Sequence, residues 1–243
     1  VPVRCQTMAA APRHARALLR SARRRSRRGR RRCRGRRTAG SRPAAALIEG
    51  VRAHGVALLP WSDTAQALRT RAAYAGLDAL SHAALIADLD DWLPPLLANK
   101  RRLDAISGEG LTQALQNRIG WEGQKSLDRL APARLETPAG SSHAIDYAAE
   151  GGPSVEVRVQ ALFGLATHPM LGDGTPLVLS LTSPAGRPIQ TTRDLPGFWK
   201  GSWADVAKEM RGRYPRHPWP DDPASASATL RTKNADARRG RSG

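Results

Sequence analysis

SVEVRVQAL, residues 154–162, alternates apolar Val155, Val157 and Val159 with polar Glu156, Arg158 and Gln160. A period of two marks a strand with one face in a core and the other toward solvent. Four further segments read the same way: ARLET (133–137), SHAIDYA (142–148), PLVLSLTS (176–183) and PIQTT (188–192). Between them lie PAGSS, EGGPS, LGDGT and SPAGR, whose Gly, Pro, Asp and Ser residues favour turns. Short strands joined by tight turns predict a small barrel or a curled sheet.

Upstream of this cluster the period is helical. Pro43 suits a first helical position, Leu47, Ile48 and Val51 share one face, and Gly55 can stop the helix. Ser62 can cap a second helix running to Tyr74. Ser81 can cap a third, in which Leu85, Leu89 and Leu93 recur at every fourth position before Pro94 and Pro95. LTQALQNRI and EGQKSLDRL give two shorter helices. Downstream of the strands, Asp194 can cap a last helix carrying Phe198, Trp199, Trp203, Val206 and Met210 toward Gly212. The prolines of RYPRHPWPDDP (213–223) then hold the chain extended. The class expected is α+β: a disordered Arg-rich arm over 1–42, a helical module over 43–131, a small antiparallel β-barrel with its C-terminal helix and Pro-rich segment over 132–223, and a disordered basic tail over 224–243. Trp61, Trp92, Trp121, Trp199 and Trp203, among apolar neighbours at helix ends, are expected as core or interdomain anchors.

The net charge of +18 is unevenly placed. Sixteen arginines and no acidic residue lie between Val1 and Pro43, and Arg231, Lys233, Arg238, Arg239 and Arg241 against Asp236 add four more charges at the other end. Roughly −2 is left for residues 44–230, an ordinary value for a folded domain. Arginine outnumbers lysine 34 to 5. The arm is therefore open to two readings, a selected RNA-binding extension or the translated product of GC-rich DNA outside its proper frame. Cys5 and Cys33 both fall in the arm, so the central fold holds no disulfide and no thiolate-metal site. No window approaches the apolar run of a membrane span, and the start has no apolar core like that of a secretory signal. A cytoplasmic protein with no membrane partner is expected.

LIEGVRAHGVALLPWSDTAQALRTR, centred on Leu59, Pro60, Trp61 and Ser62, resembles the opening of the C-terminal region of bacterial HrpB-type DEAH-box ATP-dependent RNA helicases. SVEVRVQALFGL, PLVLSLTSPAGRPIQTTRDLPGFW and RGRYPRHPWPDDP continue the resemblance over residues 43–223, the last being its most specific motif. The resemblance implies an accessory region that follows two RecA-like motor domains and includes a small OB-like barrel helping to form the RNA path. Its implied partners are RNA or single-stranded nucleic acid and the motor domains, in cis or in trans.

ATP and Mg are implied for the full-length family. This sequence contains neither the GxxxxGK[ST] phosphate loop nor a DEAH motif, so no cofactor is expected in the chain and no ATP hydrolysis by it alone. The arginine run RRGRRRCRGRR lacks the glutamine and the spacing of an arginine-finger motif.

The residues nominated to meet nucleic acid are Arg158, Lys200, Arg211, Arg213, Tyr214, Arg216, His217 and Trp219. Cations on a strand or helix end suit phosphates, and Tyr214 and Trp219 could stack on bases. Against this, exposed cations are commonly just solvated, and prolines at alternate positions make it easy for both rings to pack on their own domain. His14, His54, His82, His143, His168 and His217 form no metal-ligand pair, and no GxSxG elbow nominates a nucleophile. Asp90 with Asp91 and Asp221 with Asp222 are neighbours whose side chains point apart, which does not suit acid/base work. Two other functions compete with the helicase accessory region: a free-standing RNA-binding protein, and a helicase-gene fragment with no function of its own.

Overall fold

The computed structural model describes residues 42–235, so both cysteines, the arm up to residue 41 and the tail from residue 236 lie outside the described residues. Helix α1 spans Arg42–His54 and ends at Gly55, whose φ of 88° suits a residue without a Cβ. Helix α2 spans Asp63–Tyr74, and the Ser62 hydroxyl accepts from the Ala65 N–H at 3.2 Å, as its N-cap position predicts. Ser81 caps the next helix in the same way, through the Ala84 N–H.

Leu85, Leu89 and Leu93 are all fully buried, yet the helix that carries them is broken. Helix α3 (His82–Ala87) stops at Asp88, and α4 (Leu89–Trp92) restarts after it. Arg118 reaches into the break, donating to the carbonyls of Ala79 (2.9 Å) and Ala84 (2.8 Å) and to the Asp88 carboxylate (2.7 Å). Arg118 thus ties the turn before α3 to the break after it, while the Leu85 carbonyl, which an unbroken helix would have bonded to the Leu89 N–H, accepts from the Trp92 indole N–H at 2.9 Å. The converse holds at helix α5, Gly108–Leu130, which runs through both segments expected as separate helices and kinks at Gly120 (φ 71°, ψ 171°). Across the kink the Gln124 side chain donates to the Gln116 carbonyl at 2.9 Å. Trp121, beside the kink, is 70% exposed, so it is not a core anchor, whereas Trp92 is buried. Periodicity registers which residues face the core but not where the backbone bends.

All five expected strands form: β1 (Arg134–Glu136), β2 (Ser142–Ala144), β3 (Ser154–Arg158), β4 (Val178–Thr182) and β5 (Pro188–Thr192). They do not close into the antiparallel barrel expected. Strands β1 and β2 form an antiparallel hairpin, and a separate sheet has the order β3-β4-β5. Among the described residues, a single bridge between Asp146 and Ser154 joins the two. Within the larger sheet β3 and β4 are parallel, Val155 beside Leu179 and Val157 beside Leu181, while β4 and β5 are antiparallel. The parallel pair follows from the long connection between them. Residues 159–162 leave the strand as a 3₁₀ turn in which even Gln160 is buried, and the chain crosses back before β4 begins. Alternation identifies a strand without giving its direction.

The last helix is also two: α6 (Leu195–Lys200), capped by the Asp194 carboxylate on the Gly197 N–H at 2.9 Å, and α7 (Trp203–Arg213), with a break at Gly201. Together they cover the sheet with an aromatic cluster. Trp203, 1% exposed, lies edge-on to Phe163, Phe198 and Trp199 at centroid distances of 5.5, 5.9 and 5.2 Å. Among the described residues, no helix is long and apolar enough to cross a membrane.

The helical core and the sheet core meet along one seam. Arg71 of α2 donates to the Ala131 carbonyl at 2.7 Å and to Asp128 at 2.7 Å, holding the end of α5. Tyr74 and Tyr147 are 5.0 Å apart, and Tyr74 donates to Asp173 at 3.0 Å. The Tyr147 hydroxyl donates to the Pro132 carbonyl at 2.6 Å. Burial pushes the Tyr147 phenol well above its ordinary range. Because the folded value is the higher one, the neutral phenol's contribution is complete below about pH 10, the value in an unfolded chain, and is lost as pH rises beyond it. Tyr147→Phe is expected to cost about 1 kcal/mol near neutrality through the lost hydrogen bond. Urea midpoints of both proteins across the alkaline range should converge above about pH 10, since the other titrating groups cancel in the comparison. A gap that stays constant would show that the hydroxyl does not titrate as this burial requires.

Candidate nucleic-acid interface

Six of the eight nominated residues, Arg211, Arg213, Tyr214, Arg216, His217 and Trp219, lie at the end of α7 and in the segment that follows it. Helix α7 ends as the Tyr214 N–H reaches the Met210 carbonyl at 2.7 Å, and the chain turns once, the His217 N–H meeting the Tyr214 carbonyl at 3.1 Å. A proline-rich stretch has few N–H groups, and its carbonyls need donors from elsewhere. Side chains supply them. The Trp219 indole N–H donates to the Tyr214 carbonyl at 3.0 Å, Arg211 to the Trp219 carbonyl at 2.8 Å, and the Trp203 indole N–H to the Pro220 carbonyl at 2.9 Å. Arg211 also meets the Asp221 carboxylate.

This geometry sorts the nominated residues. Trp219 is buried, its ring 6.1 Å from that of Trp203, and both its edge and its N–H are taken up within the domain. Arg211 is engaged by a carbonyl and a carboxylate, and Arg213 pairs with Glu209 one turn back at 2.9 Å. Tyr214 is half-buried, and its hydroxyl accepts from Ser183 at 3.3 Å, which brings it to the β4–β5 turn and to exposed Arg187. His217 is half-buried with a Nδ1 that has no partner among the described residues. Arg158, Lys200 and Arg216 are exposed, and none forms an ion pair among the described residues. Arg158 lies at the end of β3 on its polar face, beside Thr182 of β4. Lys200, at the end of α6, has no contact that joins it to the Tyr214 turn.

Sequence reasoning missed Arg187, Arg231 and Lys233. The first sits in a turn read only for its Gly and Pro, and the others were assigned to a free basic tail. Residues 224–235 are described: Ala224, Ala226, Ala228 and Leu230 pack on the sheet cluster, and beyond them the Lys233 N–H meets the Arg216 carbonyl.

The remaining polar clusters are structural. His143 bonds Ser141 at 2.9 Å, and His168 is held between the Leu177 carbonyl and the Leu195 N–H. No group of three or more His, Cys, Asp or Glu side chains is placed to hold a metal ion among the described residues. The passage from β5 into α6 carries its own carboxylate, Asp194, on the helix N-terminus, where a nucleotide phosphate would be repelled.

The comparisons with known proteins agree with the motifs. Residues 92–223 match the family model HrpB_C, described as ATP-dependent helicase C-terminal. The chain is 42% identical over 196 residues to the ATP-dependent RNA helicase HrpB of Escherichia coli (strain K12), a match covering 77% of this chain and 24% of that protein. Among solved structures it resembles the E. coli DExH-box NTPase HrpB, with a TM-score of 0.68 at 42% identity over 76% of this chain and 24% of that one. It also resembles the E. coli DEAH/RHA helicase HrpB, with a TM-score of 0.58 at 36% identity over 75% of this chain and 24% of that one. The chain thus spans about a quarter of the length of the relatives it matches. It belongs to the HrpB-type ATP-dependent helicase C-terminal family.

Proposed function

We propose that this chain is the part of an ATP-dependent RNA helicase that guides single-stranded RNA beside a RecA-type motor, acting in the cytoplasm and without ATP chemistry of its own. The observation that carries this reading is the set of exposed cations Arg158, Arg187 and Arg216 around the Tyr214 turn, none paired with a carboxylate among the described residues, inside or bordering the family's most specific motif. Among the other arginines with described side chains, Arg52, Arg71, Arg102, Arg118, Arg211 and Arg213 meet a carboxylate, whereas Arg69, Arg101, Arg129, Arg134, Arg193 and Arg231 do not. Cations left unpaired next to a half-exposed aromatic ring suit a phosphate backbone with a base against the ring. On this reading Arg211 and Trp219 shape the turn and do not touch RNA.

The test separates the fold from the arm. Binding of a single-stranded RNA oligonucleotide is measured over a salt series for the full chain and for residues 42–235. The shorter protein is expected to retain binding, with log K falling against log salt at a slope of roughly −2 or steeper, as three or more phosphate contacts on a single strand would give. Loss of all binding with the arms would overturn the proposal and leave a sequence-independent basic tail as the RNA-binding element.

A further inference from the structure

We infer that residues 224–235 form a strap that completes a phosphate-binding site for single-stranded RNA, by seating Arg231 and Lys233 beside Arg158 and Arg216. This rests on the RNA-guiding reading above and adds to it a segment that lies past the family match, which ends at residue 223.

The strap begins at an Asx turn. The Asp222 carboxylate accepts from the Ala224 N–H at 3.1 Å and from the Ser225 hydroxyl at 2.6 Å, and this swings the chain back toward the sheet. From there the sequence ASASATL alternates small apolar with polar residues: Ala224, Ala226 and Ala228 are half-buried against the sheet core while Ser225 and Ser227 are exposed. A period of two with residues this small is what a chain laid flat on an existing surface requires. Gly164 makes room for it, donating to the Pro223 carbonyl at 2.9 Å, and a Cβ there would stand 3.1 Å from the Ala226 carbonyl.

Two backbone bonds then set where the strap's cations fall. The Thr229 N–H meets the Gln160 carbonyl at 3.3 Å, two residues past Arg158, and the Lys233 N–H meets the Arg216 carbonyl at 2.8 Å. Four residue steps cover at most about 14 Å. Arg231 lies midway along that span, so Arg158, Arg231, Lys233 and Arg216 occupy one short stretch of surface. All four are exposed, and none meets a carboxylate among the described residues. Four like charges drawn together by backbone bonds repel one another, and a polyanion relieves that repulsion. A row of phosphates roughly 6–7 Å apart along an extended strand matches a row of cations over this span, and Tyr214, in the same turn as Arg216, offers a ring to one base.

The experiment uses the full chain and oligouridine. Arg216→Gln, Arg231→Gln and Lys233→Gln are combined in one variant; all three side chains are exposed, so the fold is preserved. The expected result is a loss of at least tenfold in affinity near physiological salt and a salt slope shallower by about 2. The matched triple variant Arg101→Gln, Arg102→Gln and Lys125→Gln, equal in charge but placed in the helical module, should leave both nearly unchanged. Hydrogen exchange should show the Thr229 and Lys233 amides protected in the free protein. An unchanged slope in the strap variant, an equal loss in the control variant, or fast exchange at both amides overturns the strap site while the RNA reading stands. Absence of RNA binding by both the full chain and residues 42–235 removes the reading beneath it.

Discussion

Trp203→Ala is expected to destabilise the protein by about 3–5 kcal/mol, the range for removing a fully buried aromatic side chain. The indole is the hub of the sheet domain, touching Phe163, Phe198, Trp199 and Trp219, so truncation opens a cavity whose walls are rigid rings unable to collapse into it. It also leaves the Pro220 carbonyl without its donor. That residue closes the turn carrying Tyr214 and Arg216, so the loss should spread from the core to the candidate interface. Trp203→Phe separates the two effects: it keeps most of the apolar contact but not the N–H, and should cost distinctly less. Guanidinium unfolding followed by near-ultraviolet circular dichroism measures both. A cost near 1 kcal/mol for the alanine variant would show that the cluster repacks around the gap, contrary to the tight edge-on geometry.

Much of this architecture is legible in the sequence because it rests on local chemistry. Ser62, Ser81 and Asp194 announce helix starts because their side-chain oxygens reach N–H groups two or three residues ahead, a relation contained within four residues. The valines of β3 announce a half-buried strand for the same local reason. What escaped were features settled by distant partners. Arg118 holds the carbonyl of Ala84 and the carboxylate of Asp88 at one break, and the Gln124 side chain reaches the Gln116 carbonyl beside the other, at Gly120. The parallel pairing of β3 with β4 depends on how residues 159–177 cross the core, and without it a barrel was the natural expectation.

The candidate site was legible in its residue types and not in their employment. RGRYPRHPWPDDP can be read as an RNA-facing motif or, more readily, as one packed on its own domain, and the structure divides it residue by residue. Arg211 and Trp219 donate to the carbonyls that proline-rich backbone leaves open, while Arg216 faces solvent. No local pattern distinguishes those fates, since each depends on which carbonyl the fold brings near. The cations of residues 231–233 were hidden by composition: a basic, Gly- and Ser-rich ending reads as free chain, and the alternation in ASASATL that seats it involves residues too small to give a hydrophobic signal.

Gly172→Ala should be the most damaging single-methyl change in the molecule. The turn LGDGT brings Gly172 against the end of α5, where an added Cβ would fall inside the Arg129 carbonyl oxygen and 2.9 Å from the Leu130 Cα. Both are backbone atoms at a helix terminus, and the same terminus is held by Arg71 through Ala131 and Asp128, so neither can yield as a flexible side chain would. Overpacking of this kind costs about 1–3 kcal/mol or more. Here the strain has a cheaper release, which is separation of the two cores along their seam, since Asp173 next door carries the hydrogen bond from Tyr74. The variant is therefore expected to lose the Tyr74–Asp173 bond and the Tyr74–Tyr147 contact while each core keeps its own secondary structure. Limited proteolysis should cut near residues 131–133, and hydrogen exchange should rise along α2 and the 171–175 turn, with little change in far-ultraviolet circular dichroism. Gly174→Ala supplies the comparison: its φ of 82° strains any side chain, but nothing lies within contact distance of an added Cβ there. It should cost about 1 kcal/mol of backbone strain and leave the seam closed. If the two variants behave alike, turn strain explains both and the close approach of Gly172 to α5 does not hold the cores together; if only Gly172→Ala opens the seam, the close approach of Gly172 to α5 is needed, beside the Tyr74 and Arg71 contacts, to keep the two cores together.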